Sequence, residues 1–172
     1  SGEWCTVGGS PAVEPPVTGE GCWMMLTRRR LLQLIDAPAI EAAIARAEAR
    51  SSGEIRVSLA PFFWGDVRRT AEDAFQRLGM AATRERNAVL IFVVPARRSF
   101  AVIGDAGIHA RVGPGFWVEV SERLGAAFRA GRYTEGLIAG VEALGERLAQ
   151  HFPPDAAHNP DELPNTVVVA DR

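Results

Sequence analysis

An α/β fold, a three-layer α/β/α sandwich around a small mixed sheet that includes a β-hairpin, is predicted by three features of this sequence. The first is the order of hydrophobic periods, α, β, α, β, β, α, α, between residues 36 and 153. The second is AVLIFVV at 88–94, a continuous apolar run that needs cover on both faces and so belongs mid-sheet. The third is PARR at 95–98, short enough to fold the next segment, 99–103, back on that run as a hairpin. At 172 residues and 47% hydrophobic, the chain can build one good core and is short for two.

The elements follow in order. Asp36 is a capping-type acid with Pro38 just behind it, and Ile40, Ala43, Ile44 and Ala47 recur at helical spacing until SSG at 51–53. In EIRVSL at 54–59, Ile55, Val57 and Leu59 share one face and Arg56 and Ser58 the other, which predicts a half-buried strand. After an aromatic loop, PFFWG at 61–65, Asp66 caps a helix whose stripe is Val67, Ala71, Ala74, Phe75 and Leu78, with Gly79 closing it. Beyond the hairpin, one helix carries Trp117, Val120, Leu124 and Phe128. Another opens near Tyr133 and carries Leu137, Val141, Leu144 and Leu148. TVVV at 166–169 is β-prone and predicts an added edge strand.

Composition divides the chain into a leader, a domain and a tail. Residues 1–27 hold Gly and Pro clusters, three acids and no arginine, and are expected to be a disordered leader or an upstream or expression-derived segment. The domain proper is expected over 36–153. Residues 154–172 form an acidic tail.

The same composition removes several functions. All 19 cationic residues are arginine, so no lysine Schiff base can form. Cys5 and Cys22 both sit in the leader, so the domain has no thiol for a cysteine phosphatase or protease. A net charge of −2 does not suit a dedicated nucleic-acid binder. There is no Walker loop, GxGxxG, paired-aspartate motif or HExxH. The apolar run in MLTRRRLLQLID at 25–36 is too short to span a bilayer, and a cytoplasmic protein is expected.

Chemistry is predicted at one rim of the sheet. The outer ends of a hairpin meet, which brings Asn87, before the second strand, beside Asp105, after the third. A parallel pairing of the first and second strands would add Glu54. Three oxygen-bearing side chains at one crevice suit a hard cation, Ca²⁺ first and Mg²⁺ second, better than zinc. His109 follows Asp105 by one helical turn and could hold a ligand or orient a water. The alternative is that Asp105 only caps a helix or shapes a turn, and that His109 packs beside Trp117. Arg84 and Arg86 read either as phosphate contacts near the crevice or as solvated loop charges. Phe62, Phe63 and Trp64 could dock a protein partner or tuck over the core edge.

Four blocks, SGEIRV at 52–57, LGMAATRERNAVLIF at 78–92, FAVIGDAGIHARVGPGFW at 100–117 and GRYTEGLIAGVEALGERLAQHFP at 131–153, together resemble the TPM domain family. DELPN at 161–165 resembles the NELPD-type tail of its short soluble bacterial members, with acid and amide exchanged. Ala88 stands where the family often has glycine. The resemblance implies the α/β/α fold, divalent-cation binding, chiefly calcium, in some members, and a phosphatase activity proposed for plant members. The combined expectation is a cation-binding domain using Glu54, Asn87, Asp105 and His109, with a weak metal-assisted phosphatase and a metal-free interaction domain as alternatives.

Overall fold

The structure is a computed structural model that describes residues 5–7, 27–154 and 163–170. The strands are β1 (Cys5–Val7), β2 (Ile55–Leu59), β3 (Val89–Val94), β4 (Ser99–Gly104) and β5 (Val168–Val169). The helices are α1 (Arg28–Gln33), α2 (Ala37–Glu48), α3 (Val67–Arg77), α4 (Ala106–Val112), α5 (Pro114–Arg129) and α6 (Tyr133–His151). The sheet order is β1-β4-β3-β2-β5. β3 and β4 form the predicted antiparallel hairpin through a short 3₁₀ turn, and β2 runs parallel to β3.

Side-chain alternation sorts the core into two layers. Ile55, Val57, Val89, Ile91, Val93 and Val102 face α2, α5 and α6, where Leu124, Val141 and Leu144 meet them. Leu90, Phe92, Ala101 and Ile103 face the opposite way, onto Ala71, Ala74 and Phe75 of α3. The three-layer α/β/α sandwich is therefore present.

Three departures from the sequence reading have local causes. β2 is buried along its whole length instead of on one face, with Arg56 6% and Ser58 1% exposed. The reason is that β2 is interior: β5 pairs parallel to its free side, and Leu163 and Ala170 join the layer beside it. α1 begins before residue 36, seating Leu31 against Val169 and Ala96. Within the segment expected to be a leader, Cys5–Val7 pairs antiparallel with β4. Cys22 and the acids of the DELPN segment lie outside the described residues. Among the described residues no helix is long and apolar enough to cross a membrane.

Candidate functional site

Backbone register puts Glu54, Asn87 and Asp105 at the same end of the sheet. The Val89 N–H donates to the Glu54 carbonyl at 2.8 Å, and the Asp105 N–H donates to the Ala88 carbonyl at 3.0 Å. All three side chains are buried, at 5%, 1% and 0% exposure.

Their side chains have different partners. Asp105 caps α4 by accepting the Ala106 N–H at 2.6 Å. Arg86 grips the same carboxylate with two hydrogen bonds, Nε to Oδ2 at 2.7 Å and Nη2 to Oδ1 at 2.9 Å. Such a two-pronged bond is how a guanidinium best satisfies a carboxylate withdrawn from water. It also holds the Arg86 pKa above its ordinary value. The Asn87 Nδ2 donates to the Ser52 carbonyl at 3.1 Å, to the Ser52 hydroxyl at 3.3 Å and to Glu85 Oε2 at 3.4 Å. The Ser52 hydroxyl in turn donates to Glu85 Oε2. Glu54 acts with Glu48 on Arg56: burial lowers the Arg56 pKa, and the two carboxylates oppose that shift.

His109 lies one turn into α4, where its N–H donates to the Asp105 carbonyl at 3.1 Å. Its Nδ1 is buried and has no hydrogen-bond partner among the described residues, as is also true of Trp117 Nε1. The predicted capping role of Asp105 is thus present together with an ion pair that the sequence reading did not assign.

Arg86 reaches Asp105 because its backbone is left-handed, with φ +53°, a conformation uncommon outside glycine. Its carbonyl accepts the N–H groups of Gly107 at 2.9 Å and Ile108 at 3.3 Å, so the loop before β3 lies flat on the first turn of α4. Ser52 and Glu85 are the residues that sequence reasoning missed at this rim, and Arg86, read there as a phosphate contact or a solvated charge, is instead the partner of Asp105. The available signal was adjacency, since each neighbours a residue that register brings to the rim.

The arrangement does not present a ready oxygen shell to a hard cation. Both oxygens of Asp105 are held by Arg86, and among the described residues no group of three or more His, Cys, Asp or Glu could hold a metal ion. A cation could use Asp105 only by taking the place of the guanidinium. The Arg86 side chain, 44% exposed, has solvent to move into.

At the opposite rim the aromatic loop divides. Phe63 packs edge-on against Phe92 at 6.4 Å, under the Arg97 guanidinium at 5.3 Å. Arg97 Nη1 donates to the carbonyls of Phe63 at 3.4 Å and Gly65 at 2.6 Å. Phe62 and Trp64 form an edge-to-face pair at 5.1 Å, and Trp64 is 86% exposed.

Comparison with known proteins is consistent with this fold. Residues 28–147 match the family model for the TPM domain. The NMR structure of BA42 protein from the psychrophilic bacterium Bizionia argentinensis superposes with a TM-score of 0.74 at 37% sequence identity, covering 81% of this chain and 94% of that one. No curated protein matches.

Proposed function

The chain belongs to the TPM domain family, and from that premise we propose that it is a cytoplasmic binding domain whose rim takes a divalent cation, Ca²⁺ before Mg²⁺, in exchange for the Arg86 guanidinium. The observation that carries this reading is the Asp105 carboxylate, 0% exposed, whose counter-charge comes from a side chain that is 44% exposed. A buried carboxylate requires a positive partner. A tethered monovalent partner at the surface can be replaced by a divalent ion that binds carboxylate and amide oxygens at least as well.

Asp105 would be the principal ligand, with Glu85 and the Asn87 amide oxygen as further oxygens offered by the loop that carries Arg86. The cation supplies a counter-charge and ties the 83–87 loop to α4. Few carboxylates and competition from Arg86 make the expected affinity low, in the range of about 10⁻⁴–10⁻³ M.

Calorimetric titration tests this reading. Wild type should give weak Ca²⁺ heat, Asp105→Asn should give none, and Arg86→Gln should bind more tightly. Absence of heat from both wild type and Arg86→Gln overturns it.

A further inference from the structure

The turn that joins α2 to β2 is set by the end of α6. Gly53 lies against Leu148, where a Cβ on residue 53 would stand 2.6 Å from Leu148 Cδ2, and the Ser52 N–H donates to the Phe152 carbonyl at 2.9 Å. Ser52 is thus anchored to the frame of the domain rather than to the 83–87 loop. It is the point from which that loop is held on the side away from α4.

Ser52 bonds both side chains that the loop offers as oxygens. Asn87 Nδ2 donates to the Ser52 carbonyl at 3.1 Å and to Glu85 Oε2 at 3.4 Å. Carbonyl and carboxylate oxygens only accept, so the amide turns its NH₂ branch to them and its oxygen the other way. The Ser52 hydroxyl accepts from the same Nδ2 at 3.3 Å and directs its own proton to Glu85 Oε2.

We propose that Ser52 is a positioning residue for the cation rim. Its carbonyl orients the Asn87 amide and its hydroxyl orients the Glu85 carboxylate, which leaves Asn87 Oδ1 and Glu85 Oε1 as the oxygens to be offered. This role rests on the cation reading of the rim and adds the residue that organises it. Oxygens already held by outer hydrogen bonds bind more strongly, because less ordering remains to be done on binding. Glu85 gains most from such a hold, since it is exposed and a glutamate free in water gives up rotamer freedom when it takes a fixed place. Asn87 is buried, and a main-chain carbonyl sets it, which a side-chain change at residue 52 does not remove. Substitution of Ser52 therefore acts on Glu85 and leaves Asn87 oriented.

Calorimetric titration with Ca²⁺ in the Arg86→Gln background, where the competing guanidinium is gone, tests the proposal. Ser52→Ala should weaken binding by about tenfold while melting in chelator like Arg86→Gln alone. Ser52→Thr, which keeps a hydroxyl, should restore the affinity. In a chain that also carries Glu85→Ala, the Ser52→Ala change should have no effect, because a residue that acts through another is silent once that other is gone. Unchanged or tighter binding by Ser52→Ala overturns the proposal, and so does an equal loss with and without Glu85. Absence of heat from Arg86→Gln itself overturns the cation reading, and this role with it, whereas heat from Arg86→Gln that Ser52→Ala leaves intact overturns only the role of Ser52.

Discussion

The Arg86 carbonyl accepts the Gly107 N–H at 2.9 Å, and a Cβ on residue 107 would stand 2.6 Å from that oxygen and 2.2 Å from the Glu85 carbonyl oxygen. Both obstacles are backbone, so no side chain can swing aside. Gly107→Ala should therefore lift the 83–87 loop off α4, at a cost of about 1–3 kcal/mol. Urea unfolding measures this; a variant as stable as wild type would show that the loop is not held there.

Asn87 serves as a donor between Ser52 and Glu85. Asn87→Asp removes that donor and sets a second carboxylate beside the first, so stability without added metal should fall by about 1–3 kcal/mol. Ca²⁺ should restore part of the loss, because an ion that binds only the folded state raises its melting temperature with concentration. Thermal melts across a Ca²⁺ series would reveal this, and a flat response would count against the loop as a cation ligand.

Burial raises the Tyr133 pKa above its ordinary value, and Arg98 opposes the shift. A raised value means that the folded state holds the phenolic proton more tightly than the unfolded state does. The resulting stability is present below a pH of about 10 and is lost as pH rises through the folded value. Tyr133→Phe keeps the stacking on Phe128 and should flatten this alkaline decline. Since the chain has one tyrosine, tyrosinate absorbance follows the same group directly.

Adjacent aromatics should differ sharply on truncation. Phe63 rests on Phe92 beneath Arg97, and Phe63→Ala should cost about 1–3 kcal/mol. Trp64 is 86% exposed, and Trp64→Ala should stay within about 0.5 kcal/mol of wild type. Equal losses in thermal melts would mean that Trp64 is packed.

Where a single segment carried its own period, the fold could be read directly. AVLIFVV could only be an interior strand, and the short PARR turn then fixed Asp105 beside Asn87. The conformation of Arg86 could not be read in this way. Its left-handed backbone aims it at Asp105, yet an arginine gives no local sign of that conformation as a glycine would. α4 has seven residues, too few for a helical period to stand out. The burial of Arg56 and Ser58 depends on residues 163–170, more than a hundred positions away, so an alternating pattern correctly describes β2 but misleads about its surroundings. At the site, positions were legible because strand register dictates them, whereas partners were not, because a loop geometry decides which neighbour each carboxylate meets.

β5 contributes only Val168 and Val169 to the sheet, yet it lies along the flank of β2 that would otherwise be open. Native sheets blunt such margins because unsatisfied amides and carbonyls invite another chain to zip on. Clipping the protein ahead of Val168 would uncover that flank while leaving the hairpin and its helices intact, and would turn a self-contained sheet into a template for intermolecular growth.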